Sequence, residues 1–246
     1  PFICIKFCTH LIVYNPKLVK IPSIFIKKKF SKNIDHFLDN SQIHYLKNVL
    51  KVKKNDVFDV FNGEGQKLSC TLKDKDYIEI NSFLKVDRRF NTSVLIPFQE
   101  RSRFEFCLQK VVEVGAKDIY CYLSEKDRLK LSYEKEIQKI ERYREIIKSS
   151  FLQSNNFFLP KINILRELTQ FKFDKFINKV VLQPESKELL KSDTQCDLLI
   201  TGSRFGFSEN ELELFHKKGV CFKNLGKNIL RAETAPLVGL AILNIK

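Results

Sequence analysis

The rhythm of apolar and polar positions changes once along this chain, close to residue 90. Before that point the apolar runs are short and β-prone. Ser23-Ile-Phe-Ile26 is closed by Lys27-Lys-Lys29, and the runs at residues 56–61 and 66–73 flank Asn62-Gly-Glu-Gly65. An Asn-Gly pair between two such runs predicts a hairpin, because both residues take positive φ at low cost. No helix follows the glycines, so they do not read as a phosphate-binding loop. A third strand is expected over residues 76–84. One helical stripe interrupts the pattern within residues 35–52, where Ile43, Leu46, Val49 and Leu50 recur at helical spacing.

Residues 85–91 are charged and lack glycine and proline, which predicts a short, stiff connection. Strand and helix then alternate. Strands are expected at residues 93–97, 118–123, 179–182, 198–201 and 220–222. A helix over 102–115 presents Phe104, Leu108, Val111 and Val112 on one face and stops at Gly115. A longer helix over 134–151 turns Ile137, Ile140, Tyr143, Ile146, Ile147 and Phe151 inward. Ser208-Glu-Asn-Glu211 is a capping box that opens a helix ending at Gly219, and an apolar helix closes the chain. Such alternation predicts an α/β domain with a mostly parallel sheet, in which ligands sit beyond the carboxyl ends of strands. Two glycine-bearing loops hold that position, Gly202-Ser-Arg-Phe-Gly-Phe207 and the stretch from Leu225-Gly226 onward. Neither has the spacing of a dinucleotide or nucleoside-triphosphate loop.

Composition changes this picture in two places. Among 246 residues there are 43 Lys and Arg against 29 Asp and Glu, a net charge of +14. That excess suits a polyanion such as nucleic acid, although coding bias toward Lys, Asn, Ile and Phe produces the same balance. The 7 cysteines include no CxxC, and the 4 histidines stand at no ligand spacing to them. No metal site is expected, and a reduced, cytoplasmic compartment is. The apolar run at residues 2–14 is broken by Lys6 and His10 and is too short to span a bilayer. It reads as a core strand or an extension within residues 1–22, without a cleavage site, and no membrane partner is expected.

The densest chemistry lies in Leu225-Gly-Lys-Asn-Ile-Leu-Arg-Ala-Glu-Thr-Ala235. Arg231, Glu233 and Thr234 stand at the mouth of the last apolar helix, where burial for stability alone would be costly. The same cluster also reads as a capped helix start, with Thr234 or Glu233 near the N-terminus. His44 is a candidate RNA contact or a satisfied structural histidine.

In order across residues 24–246, the chain resembles the RsmE-type 16S rRNA (uracil-N3) methyltransferases of the SPOUT, or α/β-knot, superfamily. His44-Tyr-Leu-Lys-Asn-Val-Leu-Lys-Val-Lys53 with Phe61-Asn-Gly-Glu-Gly65 is similar to that family's PUA-like domain. Arg103-Phe-Glu-Phe-Cys-Leu-Gln-Lys-Val-Val-Glu-Val-Gly115 and Ser124-Glu-Lys126 are similar to its first knot-domain helix and following loop. Leu225 to Ala235 follows its LG-x-x-ILR-x-ETA signature almost letter for letter.

The resemblance implies an α/β fold with a C-terminal deep trefoil knot and mostly parallel sheet over residues 89–246. A small β-barrel PUA-like domain precedes it over residues 1–88. It further implies a homodimer that uses S-adenosylmethionine on 16S rRNA or the small-subunit particle. The implied cofactor residues are Thr201, Gly202, Gly206, Leu225, Gly226, Ile229, Leu230 and Thr234. Arg231 and Glu233 are the implied catalytic pair, and His44, Lys47, Lys51, Arg103 and Arg204 the implied RNA contacts. Two departures stand out. Where the family reads Pro-Glu-Gly this chain has Ser203-Arg204-Phe205, which reverses a charge beside a cationic cofactor. The family's Glu-Gln-(x)-x-Arg segment reads Leu152-Gln-Ser-Asn-Asn156. Two functions therefore stand open: methyl transfer to N3 of a uridine, or a catalytically degenerate homodimer that binds rRNA without chemistry.

Overall fold

The two rhythms fold into two sheets. The computed structural model describes residues 21–30, 38–74, 77–127 and 132–245; the apolar run at residues 2–14 lies outside them. The first sheet has the order β1-β2-β3-β4. It comprises β1 (Ser23–Phe25), β2 (Val57–Phe61), β3 (Gln66–Leu72) and β4 (Ile78–Lys85). β1 runs parallel to β2, and the other pairs are antiparallel.

The expected hairpin joins β2 to β3. Asn62 Oδ1 accepts from the backbone N–H of Glu64 at 2.8 Å and of Gln66 at 2.9 Å. Gly65 takes φ +90, and a Cβ there would lie 2.6 Å from the Val86 carbonyl oxygen. The hairpin tip is docked as well as tight. Gly65 N–H donates to the Phe157 carbonyl at 2.9 Å, and Leu159 N–H to the Gly63 carbonyl at 3.0 Å. Phe61 meets Phe151 and Phe157 edge-on.

The helical stripe of this first region is shorter than its spacing predicts. Asp39 caps α1 (Asn40–His44) with a capping box to Gln42. The chain then passes into a π-turn at Tyr45–Val49, and Lys51 at φ +58 ends it. The wider turn rotates the later stripe residues, so Leu46 is buried while Val49 faces solvent.

The second sheet has six parallel strands in the order β10-β8-β9-β5-β6-β7. They are β5 (Ser93–Pro97), β6 (Ile119–Tyr122), β7 (Ile162–Leu165), β8 (Lys179–Leu182), β9 (Leu198–Thr201) and β10 (Cys221–Lys223). β5 and β9 are buried at every residue, as central parallel strands covered on both faces must be. On one face Val94, Ile96 and Leu199 pack with Leu108, Val111, Tyr143, Ile147 and Leu240. These belong to α2 (Arg101–Glu113), α4 (Ile140–Gln153) and α6 (Ala235–Asn244). On the other face Leu95, Leu198 and Ile200 pack with Phe173, Phe207 and Phe215, the last from α5 (Glu209–Lys217).

Two expectations need correction. The long helix is split at Lys139 into α3 (Tyr133–Gln138) and α4. Glu136 is drawn inward, bonded by Lys139 Nζ at 2.7 Å and by the Tyr143 hydroxyl, and Ile137 is left exposed. Burial raises the Tyr143 phenol far above its ordinary value, and the bond to Glu136 raises it further. β7 was not expected, because a four-residue edge strand with one polar position carries little periodic signal. No helix among the described residues is long and apolar enough to cross a membrane.

Candidate functional site

Five parallel strands deliver their carboxyl ends to one cavity of about 640 Å3. β5 brings Gln99, Glu100 and Arg103. The loop after β6 brings Asp127, and β8 brings Leu182, Gln183 and Pro184. β9 brings Gly202, Ser203, Arg204, Gly206 and Phe207, and the chain after β10 brings residues 229–233 and Ala235. β5 feeds β6 on one flank while β9 lies on the other, so connections diverge where the cavity opens.

The loop after β9 is a tight turn. Gly206 N–H donates to the Ser203 carbonyl at 2.9 Å, and Ser203 Oγ donates to the Gly206 carbonyl at 3.1 Å. Gly206 takes φ +72, which an L side chain would strain. A Cβ on Gly202 would meet the Phe207 ring at 3.0 Å, so the turn packs closely there, and Gly202 lines the cavity with backbone alone. Arg204 lies with Nε 3.7 Å from Asp127 Oδ1 and its guanidinium 4.5 Å from the Phe205 ring centre. Phe205 itself is half-exposed and does not line the cavity.

This loop is fastened to the turn at Glu125–Asp127. Lys126 Nζ donates to the Phe205 carbonyl at 3.0 Å, and Ser208 Oγ to Glu125 Oε2 at 2.6 Å. The capping box forms as its spacing predicts: Ser208 Oγ accepts from Glu211 N–H, and Glu211 accepts from Ser208 N–H at 2.9 Å. The other Glu211 oxygen accepts from Glu125 N–H at 3.1 Å. Burial raises the Glu211 carboxyl above its usual range, and those backbone donors pull back against the rise.

The connection after β10 is looser. Gly226, at φ +111, donates its N–H to Asn224 Oδ1 at 2.8 Å. The chain then runs exposed to Ile229, a residue 84% exposed. Residues 231–235 close into a turn in which Thr234 and Ala235 donate N–H to the Arg231 carbonyl at 2.9 and 3.0 Å. The Thr234 side chain makes no capping bond, so the capped-helix reading of this cluster does not hold for it. Arg231 is exposed. Glu233 is buried and makes no hydrogen bond or ion pair among the described residues. Cys107 on α2 is pushed up to about 12, first by burial and then by the Glu233 charge, so it is no nucleophile.

Of the residues singled out from sequence, the cavity gathers Gly202, Gly206, Ile229, Leu230, Arg231, Glu233, Arg103 and Arg204. Thr201 lies behind the wall. Its Oγ1 is buried without a partner among the described residues, and its carbonyl accepts from the Tyr122 hydroxyl at 3.1 Å. Leu225, Gly226 and Thr234 belong to the loop but not to the wall. His44, Lys47 and Lys51 are exposed on α1 and its exit, on the other sheet, and His44 hydrogen-bonds Asn48 at 2.9 Å. The sequence reading missed Gln99, Asp127, Gln183 and Pro184. Gln99 and Gln183 stand one or two residues past the ends of β5 and β8, which the strand-end rule alone identifies. Gln99 Nε2 is a buried donor without a partner among the described residues.

Family models match in the same order as the sheets. A PUA domain of RNA methyltransferases matches residues 38–81, and an RNA methyltransferase domain matches residues 87–244. Ribosomal RNA small subunit methyltransferase E of Buchnera aphidicola is 28% identical over 235 residues, which are 91% of this chain and 93% of that one. The protein of the same name from Synechocystis is 30% identical over 227 residues, 84% of this chain and 72% of that one. Among solved structures, a ribosomal RNA small subunit methyltransferase E from Neisseria gonorrhoeae bound to S-adenosyl methionine superposes with a TM-score of 0.75. It is 25% identical, covering 90% of this chain and 95% of that one. A protein from Legionella pneumophila, solved in complex with the cofactor SAM, superposes at 0.77 with 23% identity, covering 92% and 97%, and has the same fold.

Proposed function

The chain belongs to the RNA methyltransferase family, and from that premise we propose that it methylates N3 of a uridine in 16S rRNA using S-adenosylmethionine. The observation that carries the reading is the cavity where the 202–207 loop and the 225–235 connection meet beyond β5, β8 and β9. Its volume is ordinary for a small-molecule site. Its walls also fit this cofactor. Gln99 Nε2 is a buried donor without a partner among the described residues, and Gly202 lines the cavity with backbone alone. Apolar Leu182, Leu230 and exposed Ile229 offer faces for an adenine ring. The cofactor, when bound, supplies an electrophilic methyl group.

The remaining chemistry falls to the chain's own side chains. Uracil N3 carries a proton that must leave before or as the new bond forms. Glu233, buried and without a partner among the described residues, is suited to accept it. Arg231, exposed two residues before it on the cavity wall, is suited to hold the charge that then develops on the uracil oxygens. Arg103 and Arg204 at the cavity rim, with His44, Lys47 and Lys51 on α1 and its exit, offer RNA contacts. On this reading residues 1–88 form a PUA-like barrel and residues 89–246 a deep-knotted domain. The protein works as a cytoplasmic homodimer on 16S rRNA or the small-subunit particle.

The rival reading, a degenerate dimer that binds rRNA without chemistry, rests on Arg204 and Phe205. Arg204 is paired with Asp127, and Phe205 stays off the cavity wall, so neither side chain stands against the methyl-transfer reading. Calorimetric titration with S-adenosylmethionine is the first test, with saturable binding expected. Methylation of small-subunit particles, mapped by mass spectrometry, is the second, with a single N3-methyluridine expected. A folded protein that takes up no cofactor overturns the proposal.

A further inference from the structure

We propose that Asp127 supplies the negative charge against which this cavity takes up a cationic sulfonium, with Arg204 as its counterweight. The inference rests on the S-adenosylmethionine reading and concerns residues in which this chain departs from the family pattern. Where that pattern carries a glutamate, this chain has Arg204, and a lone guanidinium there would repel the cofactor. Arg204 is not alone. Its Nε lies 3.7 Å from Asp127 Oδ1, and its plane rests on Phe205.

The two charges of this pair are unequally shielded. The Asp127 side chain is 8% exposed and that of Arg204 is 49% exposed. Water therefore screens the guanidinium far more than the carboxylate, and the field the pair sends into the cavity is that of the carboxylate. At 3.7 Å the contact is an ion pair without a hydrogen bond, so Asp127 keeps acceptor capacity for a ligand. The carboxylate is also well placed. It follows Lys126 and Glu125, which are bonded to Phe205 and Ser208, so the turn that holds it moves with the cofactor loop. Of the other two cavity carboxylates, Glu100 is 70% exposed and leans toward Arg103 at 3.8 Å. Glu233 lies in the same connection as Arg231, on the side assigned to the base.

S-adenosylmethionine and S-adenosylhomocysteine differ by one methyl group and one positive charge, so their affinity ratio reads the charge directly. Both are titrated into the full chain, as wild type, Asp127→Asn and Arg204→Ala. For Asp127→Asn, S-adenosylmethionine affinity should fall about tenfold while S-adenosylhomocysteine affinity holds, which also shows that the site is folded. Arg204→Ala should move the ratio the other way. Equal losses for both ligands in Asp127→Asn, or no loss, overturn the assignment, as does a ratio that collapses only in Glu233→Gln. A wild-type protein that binds neither ligand overturns the cofactor reading itself, and that outcome differs from every result above.

Discussion

The two loops that frame the cavity are held in different ways. The 202–208 loop is bonded within itself and to the Glu125–Asp127 turn through Lys126, Glu125 and Glu211. The stretch from Gly226 to Ile229 is exposed, and its one bond of this kind among the described residues is Gly226 N–H to Asn224. The first loop is a finished wall, and the second is a cover whose apolar residue, Ile229, has little to rest on. A site built this way has one wall set by the fold and one edge left open to solvent.

The contrast can be broken most forcefully at Glu211. Replacing it with Ala strands the backbone donors of Ser208 and Glu125, and should cost about 2–4 kcal/mol in urea denaturation and weaken cofactor binding. Next in size, Arg231→Ala in the open connection should lower kcat about a hundredfold with an unchanged melting curve. Retained activity would remove Arg231 from the reaction. A matched pair then compares the loops directly. Gly206→Ala, at φ +72 in the fastened loop, should cost about 1–2 kcal/mol, because the strain has nowhere to go. Gly226→Ala, at φ +111, should cost less than about 0.5 kcal/mol, because the open segment relaxes. Equal costs would refute the distinction.

The smallest effect is in pH dependence. Glu211 is raised by burial, so the native state holds its proton more tightly, and its contribution to stability declines as pH rises from the ordinary carboxylate value through the raised one. Glu105, lowered to about 2 first by its bond from Arg142, has the opposite sign. Its contribution is complete above the ordinary value and is lost as pH falls toward 2. Glu211→Gln should remove the decline and leave the acid-side loss. Chemical denaturation measured across pH 2 to 7 separates the two.

Much of the scaffold was legible in the sequence, for a physical reason. β5, β8 and β9 are short apolar runs with polar ends, so their bounds matched to the residue. The Ser208 capping box and the Asn62 hairpin are local chemistry and were equally plain. What stayed hidden depends on neighbours distant in sequence. Lys139 breaks a helix because Glu136 finds Tyr143 and a buried place, which periodicity does not record. The α1 stripe failed because one extra residue per turn rotates Val49 outward. At the site, the signature at residues 225–235 was visible, whereas Asp127 and Gln99 matter only through what other strands bring beside them.

The docked hairpin has a consequence for target choice. Residues 62–65 are stitched by backbone bonds to residues 157–159, and Gly65 leaves no clearance for even a methyl group against Val86. The first sheet therefore cannot pivot on the second without tearing that seam. The span from α1 to the cavity is then a gauge of fixed length. Under the proposed function, an RNA held at α1 would offer the cavity only the nucleotide that its own folded shape places at that distance.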